Sequence, residues 1–108
     1  VMNHMLGGTG YITHLATVWP EHDLSVWKLL EAGEYQAAQQ KIQNVNWPWL
    51  KFRGEMGSRT SAESPPVKAA LDLLGRHGGP SRLPSRTLNS DERDELKQLL
   101  LRIGVPIP

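Results

Sequence analysis

The fold of this chain is decided by residues 7–15, which read Gly7-Gly8-Thr9-Gly10-Tyr11-Ile12-Thr13-His14-Leu15. β-Branched and aromatic residues bracketed by glycines predict one strand over roughly 9–15. No other stretch of the 108 residues makes a convincing strand. Because a lone strand cannot satisfy its own backbone hydrogen bonds, its partners must come from residues not present here or from another chain.

The residues on either side of this strand predict helices and loops. Residues 1–6 resemble the last turns of a helix that Gly7-Gly8 ends, so we expect a piece of something longer. The elements predicted after the strand are a helix from Pro20 to Gly33, a helix from Glu34, a kink or restart at Trp47-Pro48-Trp49, a loop over 54–64, a helix from Pro65-Pro66 to Gly75, and an irregular stretch to Arg86.

Two of these helices have a predicted buried side. In the helix from Pro20, an apolar stripe is formed by Leu24, Trp27, Leu29 and Leu30. A final helix is capped by Ser90 or Asp91 and ends at Gly104. Its predicted buried side consists of Leu96, Leu99, Leu100 and Ile103.

Composition excludes several classes of site and partner. The chain is 39% hydrophobic and 21% charged, which is typical of a soluble globular domain, and its net charge of +1 gives no reason to expect nucleic acid or a membrane as partner. Without cysteine there is no disulfide, thiolate metal site or cysteine nucleophile. We see no signal-peptide pattern and expect a cytoplasmic location.

Histidine and tryptophan give the remaining candidate sites. The spacings of His4, His14, His22 and His77 fit no metal-ligand pattern, so we predict no metal site. We expect helix packing and subunit contact for the tryptophans at 19, 27, 47 and 49.

Several motifs together resemble one enzyme family. Residues 7–13 resemble the last barrel strand of the dihydrodipicolinate synthase/N-acetylneuraminate lyase family, where a Gly-x-x-Gly-x-Ile-Ser/Thr stretch runs into a loop and a helix that starts with proline, here Pro20. Three later segments resemble the family in the same order and spacing. They are the junction between two helices at residues 30–38, the Pro-x-Lys-x-Ala-Leu segment at 66–71 and the Arg-x-Pro segment at 82–84.

The resemblance implies an α/β fold in which this chain supplies the last strand and the C-terminal helices of a TIM (β/α)8 barrel, itself mostly α with one strand. Residues 1–19 would be the end of a barrel helix, the last strand and a loop. Residues 20–108 would be the last barrel helix and a C-terminal helical extension. A complete barrel needs about 250 residues, so the implied partners are the rest of the barrel and further copies in a tetramer or dimer.

The resemblance also implies a chemistry. Family members are class I lyases in which a lysine forms a Schiff base with a 2-oxo acid, often pyruvate, and a tyrosine relays protons. Neither residue is in this chain, so we predict no catalytic residue here, no cofactor and no activity for the chain alone. Lys68 is a tempting match for the lysine, but it lies in a helix well past the strand.

Three residues near the strand's end are candidate substrate-binding residues: His14, Ile12 and Thr13. Ile12 and His14 share one strand face by the period of two. His14 lies near the carboxyl end, where a barrel keeps its site, and aligns roughly with a substrate-contacting serine of the sialic-acid lyases. Thr13 faces the other way, which favours strand packing.

Alternatives stay open within the family and outside it. A 2-keto-3-deoxy sugar-acid dehydratase or aldolase is a candidate, because His14 and Trp19 depart from the lysine-pathway synthases. A small helical interaction domain without catalysis is the alternative from another class.

Overall fold

The computed structural model describes all residues, 1–108, and contains seven α-helices, one π turn and no strand. In chain order the elements are α1 Met2–Met5, α2 Leu15–Val18, α3 Pro20–Glu31, α4 Tyr35–Lys41, the π turn Ile42–Asn46, α5 Trp47–Thr60, α6 Ser64–Leu73 and α7 Ser90–Ile103. The prediction that the chain is mostly α is confirmed, and its single predicted strand is absent.

The predicted strand over 9–15 was wrong, because no part of it forms a strand. Residues 8–13 have no regular secondary structure, and Leu15 already begins α2. No second strand in the chain offers a ladder of hydrogen bonds, so nothing holds residues 9–13 as a strand. The helical turn forms because Leu15 is fully buried and its amide donates to Oγ1 of Thr13 at 3.3 Å.

The helix from Pro20 is confirmed, with one correction to its buried side. Proline occupies its first position, and Gly33 after its end has a φ of +75°, a conformation that glycine adopts without strain. Leu24 was predicted to be buried but is 60% exposed, whereas Val26 and Leu30 are buried. The buried face of α3 is therefore turned away from Leu24.

A π turn joins α4 to α5, where a kink or restart was predicted. Pro48 lacks an amide hydrogen, and its ring would crowd the carbonyl group four residues earlier in a regular helix. The wider turn over Ile42–Asn46 avoids this conflict, and α5 begins at Trp47. The turn also brings the side chain of Asn46 against α3.

The predicted loop over 54–64 is confirmed only for residues 61–63, because α5 continues to Thr60 and α6 begins at Ser64. Met56 and Thr60 are buried on one face of this helix, and the hydroxyl of Thr60 donates to the carbonyl oxygen of Met56 at 2.7 Å. This burial outweighs the low helix propensity of the two glycines at 54 and 57. The helix ends at Ser61, which has a left-handed φ of 64°.

Helix α7 begins one residue earlier than predicted. Asn89, rather than Ser90 or Asp91, is its N-cap, and it exchanges hydrogen bonds with Glu92 in a capping box. Arg86 donates to both carboxylate oxygens of Glu92, at 2.7 and 3.1 Å. The hydrogen bond from Arg86 lowers the pKa of Glu92 to about 2, against an opposing effect of burial.

The hydrophobic core lies between α2, α5, α6 and α7. All four residues predicted on the buried side of α7 belong to it, which confirms that prediction. A second, smaller cluster joins α3 to α4 through Val26, Leu30 and Ala38. No helix combines the length and the apolar character that crossing a membrane requires. The main cluster consists of Leu15, Val18, Val45, Trp49, Met56, Ala69, Ala70, Leu88, Leu96, Leu99, Leu100, Ile103 and Val105.

Candidate functional site

The three predicted substrate-binding residues line one cavity. This cavity, of about 430 Å³, lies between residues 11–14 on one side and α3, the π turn and α5 on the other. It is larger than a single water site requires and falls in the range of small-molecule pockets. Ile12, Thr13 and His14 therefore share a space with side chains that are distant in sequence.

Tyr11 is attached to α3, and Ile12 is not. The hydroxyl of Tyr11 donates to the backbone oxygen and to Oδ1 of Asp23, at 3.3 and 3.4 Å. Its ring also lies 5.9 Å from the ring of Trp27. The side chain of Ile12 is 99% exposed. Successive residues of an extended segment point to opposite sides, so residues 11 and 12 keep this alternation without a sheet.

Thr13 and His14 differ as Tyr11 and Ile12 do: the first side chain contacts the rest of the chain, and the second is exposed. Thr13 is half-buried, and its Oγ1 accepts the amide of Leu15, which starts α2. His14 is exposed at the edge of the cavity, and no hydrogen bond holds its ring. His14 and Ile12 are thus the residues of this segment that remain free to contact another molecule.

A buried polar network lies behind Tyr11, on α3 and the π turn. Asn46 bridges two residues of α3: its Oδ1 lies 2.7 Å from Nε2 of His22, and its Nδ2 donates to Oδ1 of Asp23 at 3.3 Å. The ring of His22 stacks on Trp19 with centroids 5.1 Å apart. Sequence reasoning missed Asp23 and Asn46, because nothing in the local pattern links positions that are 23 residues apart.

Burial and the neighbouring carboxylate of Asp23 raise the pKa of Tyr11 to about 12, burial being the larger cause. Both effects disfavour a second negative charge beside Asp23. The Tyr11 hydroxyl therefore stays protonated, and able to donate its hydrogen bond, to a higher pH than an ordinary tyrosine. This keeps residues 10–13 attached to α3.

Several polar atoms around the cavity have no hydrogen-bond partner. Oδ2 of Asp23, Nε1 of Trp49 and Nε of Arg53 are buried without one. Arg53 has one ionic contact, in which its Nη1 lies 3.2 Å from Oε2 of the exposed Glu63. Buried polar groups in folded proteins are nearly always paired with protein groups or with water.

Other candidate residues have structural contacts. Lys68 donates its Nζ to the carbonyl oxygen of Pro80 at 2.9 Å, which joins α6 to the irregular stretch after it. His4 contacts Tyr35 and Glu31, and no group of three histidine or acidic side chains lies close enough to hold a metal ion. Trp47 is 65% exposed, contrary to the helix packing predicted for the tryptophans, whereas the subunit contact stays a prediction.

Comparison with the models of known protein families shows which family this chain is related to. The model of the Dihydrodipicolinate synthetase family matches residues 2–103. The chain belongs to the Dihydrodipicolinate synthetase family. The resemblance inferred from residues 7–13 and the later motifs is therefore confirmed. The match covers the exposed segment, the cavity and every helix described above.

Curated members of the family share this region. The chain is 28% identical over 97 residues to the 4-hydroxy-tetrahydrodipicolinate synthase of Methanospirillum hungatei, covering 90% of this chain and 31% of that protein. It is 30% identical over 96 residues to the probable 5-dehydro-4-deoxyglucarate dehydratase of Methylobacterium radiotolerans, covering 88% and 30%. The chain thus spans about a third of the length of these relatives. No solved structure matches it significantly.

Proposed function

We propose that this chain is the carboxy-terminal part of a (β/α)8-barrel lyase that forms a Schiff base with a 2-oxo acid such as pyruvate. The reaction is an aldol addition or cleavage, or a dehydration. One observation carries the proposal: the family match spans residues 2–103. Residues 9–13 have no strand partner within the chain, which suits pairing of their backbone with neighbouring strands in a barrel.

The chemistry follows from the family's mechanism. A lysine amine that condenses with the oxo group forms a protonated imine, which accepts electrons when the adjacent carbon loses a proton or a fragment. In this proposal the lysine and the proton-relaying tyrosine belong to strands outside residues 1–108. The chain is then inactive alone, and the reaction needs no cofactor.

This chain contributes substrate contacts in the proposed site. With Tyr11 turned toward α3, Ile12 faces the barrel interior and bounds the site with an apolar surface. His14 follows on the same side at the carboxyl end of the strand, where barrel enzymes bind substrate. It binds the distal hydroxyl groups of the substrate through its ring nitrogens. Thr13 has a packing role, since its hydroxyl holds the start of α2.

The proposed partners are the rest of the barrel and further copies of the same protein. The exposed side chain of Leu50 adjoins the cavity and would be covered by the rest of the barrel. We propose a homo-oligomer, dimer or tetramer, in the cytoplasm. We propose neither nucleic acid nor a membrane as a partner.

A second candidate function is the dehydration or aldol cleavage of a 2-keto-3-deoxy sugar acid. It is supported by the relative from Methylobacterium radiotolerans, whose name is that of a probable dehydratase of a deoxy sugar diacid. The presence of His14 and Asp23 beside one cavity also suits a substrate with several hydroxyl groups.

A non-catalytic helical interaction domain is the remaining alternative. One feature favours it, since α2, α5, α6 and α7 bury 13 residues in one hydrophobic cluster. It does not account for the fully exposed Ile12 or for the unpaired polar atoms around the cavity.

Borohydride trapping tests the proposed function. The full-length protein is incubated with pyruvate and sodium borohydride, and its denatured intact mass is measured with and without pyruvate. We expect one reduced pyruvate per chain, attached to a lysine outside residues 1–108 after peptide mapping. A protein that takes up no pyruvate would contradict the Schiff-base proposal, and an adduct on Lys68 would contradict our placement of the lysine.

A further inference from the structure

We infer that Arg76 is a positioning residue for the substrate, because it holds the helical turn α2 and through that turn fixes the place of His14. This inference rests on the proposed function, in which His14 contacts the distal hydroxyl groups of the substrate, and it deepens that function. It gives the C-terminal helices a part in substrate binding. Sequence reasoning did not single out Arg76, which follows Gly75 at the predicted end of a helix.

The contacts between Arg76 and α2 are the first step. Nη1 of Arg76 donates to the carbonyl oxygen of Thr17 at 3.1 Å, and Nη2 donates to the carbonyl oxygen of Val18. The two acceptors lie 59 and 58 residues before Arg76 in the chain. One side chain beyond the end of α6 therefore holds both of the last two residues of α2.

The end of α2 needs donors from elsewhere in the chain. The last carbonyl groups of a helix have no amide donor within that helix. Trp19 leaves the helical conformation, with φ of −138° and ψ of 73°, as expected for a residue before proline, and Pro20 has no amide hydrogen to offer. The planar guanidinium group presents several donors side by side, so one arginine can satisfy two successive carbonyl groups.

The hydrogen bonds of Thr17 connect Arg76 to His14. The amide of Thr17 donates to the carbonyl oxygen of His14 at 3.2 Å, and the carbonyl oxygen of the same residue accepts from Arg76. On the other side of His14, the hydroxyl of Thr13 accepts the amide of Leu15. Because the ring of His14 has no hydrogen bond of its own, the backbone of this turn determines where the ring can reach.

The backbone of Arg76 is itself fixed by the end of α6. Gly75 has a left-handed φ of +76°, and its amide donates to the carbonyl oxygen of Asp72 at 3.0 Å. The amide of Arg76 donates to the carbonyl oxygen of Leu71 at 2.9 Å, which completes a Schellman motif. Oδ1 of Asp72 also accepts the amide of Gly78 at 2.9 Å. The guanidinium group therefore extends to α2 from a backbone that α6 holds.

The burial of α2 distinguishes positioning from stability. Leu15 and Val18 are buried in the main hydrophobic cluster, so α2 forms without help from Arg76. The side chain of Arg76 is exposed, so its replacement opens no cavity in the core. A variant that lacks the guanidinium group should therefore stay folded with a looser turn after His14.

Binding of gluconate to the full-length protein tests the inference. Gluconate has several hydroxyl groups and no oxo group, so it can contact His14 without forming a Schiff base. Calorimetry is performed on the unchanged protein, Arg76→Gln, His14→Ala and the double variant. We expect a loss of affinity of roughly 3–10-fold in Arg76→Gln, as for one hydrogen bond. The double variant should bind no more weakly than His14→Ala, because Arg76 acts through His14.

Two further variants and a second measurement complete the test. Arg76→Lys keeps the charge but loses the planar pair of donors, so it should retain part of the affinity. Arg82→Gln is the matched control, because Arg82 is an exposed arginine in the same irregular stretch and does not contact α2. Hydrogen exchange of the amides of Thr17 and Trp19, which are bonded within the turn, should become faster in Arg76→Gln and stay unchanged in Arg82→Gln.

Each result either supports the inference or overturns it. Equal gluconate affinity in Arg76→Gln and the unchanged protein, unchanged exchange at Thr17, or additive losses in the double variant would overturn it. Absence of gluconate binding to the unchanged protein would also overturn it, since there would be no hydroxyl-binding site to position. Pyruvate trapping should be the same in all variants. If trapping fails in the unchanged protein while the gluconate results hold, the Schiff-base proposal is contradicted and the role of Arg76 stands.

Discussion

The hydroxyl of Tyr11 lies 3.4 Å from Oδ1 of Asp23, and through this contact the segment before α2 is held against α3. Asn46 on the π turn contacts the same carboxylate oxygen at 3.3 Å. Three parts of the chain that are far apart in sequence therefore meet at Asp23. The contact between Tyr11 and Asp23 fixes the orientation of the segment, and that orientation determines the direction in which Ile12 and His14 face.

Replacing Tyr11 by Phe should destabilise the full-length protein by about 1 kcal/mol, because one intramolecular hydrogen bond is lost. The pH dependence should change as well. The pKa of Tyr11 is raised from 10.0 to about 12 on folding. The stability tied to its neutral form is thus fully present below pH 10 and is lost as the pH rises toward 12.

Urea denaturation at pH 8 and at rising alkaline pH, with tyrosinate absorbance, measures both effects. The variant should lack the ionisation near pH 12 and should lose less stability on the alkaline side than the unchanged protein does. Identical midpoints and identical titration curves for the two proteins would show that Tyr11 is not attached to Asp23.

Replacing Glu92 by Gln should destabilise the protein by about 1–2 kcal/mol at pH 7, since the capping box and the charged contact to Arg86 are weakened together. The pKa of Glu92 is lowered from 4.5 to about 2 on folding. The stability that the ionised Glu92 contributes is therefore present above pH 4.5 and is lost as the pH falls toward 2.

Chemical denaturation at pH 7, 4 and 3 measures this effect. The difference in stability between the unchanged protein and Glu92→Gln should shrink as the pH falls. Glu95→Gln is the matched control, because Glu95 lies on the same helix, is about half exposed and has only a long contact to Arg59. If the difference in stability between the unchanged protein and Glu92→Gln did not vary with pH, the ion pair and capping role of Glu92 would be contradicted.

Replacing Leu96 by Ala should cost about 2–5 kcal/mol, the usual range for a fully buried leucine in a core that cannot collapse. Leu96 is 0% exposed in the main cluster. Leu101→Ala on the same helix is the control, since Leu101 is 51% exposed and should lose well under half as much. Equal losses in thermal or urea unfolding would mean that the buried face of α7 is misassigned.

Replacing His14 by Ala should raise the KM for the complete substrate by roughly 3–10-fold, the worth of about one hydrogen bond. The rate of pyruvate trapping should stay unchanged, because His14 contacts the distal part of the substrate. His77→Ala is the control, since His77 is exposed and does not line the cavity. Unchanged kinetics in His14→Ala would remove His14 from the site.

Local rules anticipated the helices whose boundary signals are strong. Pro20, Gly33 and Gly104 lie at helix ends where proline and glycine are favoured, and the buried side of α7 follows from its apolar period. Family motifs, spread from residues 7 to 84, pointed to the family that the comparison then showed. These features depend on neighbouring residues and on order along the chain.

Features that depend on distant contacts could not be anticipated in this way. Residues 54–60 resembled a loop, but burial of Met56 and Thr60 extends α5 through them. Residues 9–13 resembled a strand, and without a partner they form none. The network of Asp23 and Asn46 arises only when the helices pack.

Hydrogen exchange of residues 9–13 tests most directly the claim that this segment is a barrel strand whose partners lie outside the chain. Exchange of these backbone amides is measured by mass spectrometry in the 108-residue chain and in the full-length protein. We predict exchange close to the unprotected rate in the chain alone and slowing of roughly 100-fold or more in the full-length protein, where the strand is paired. Equally fast exchange in both would contradict the account.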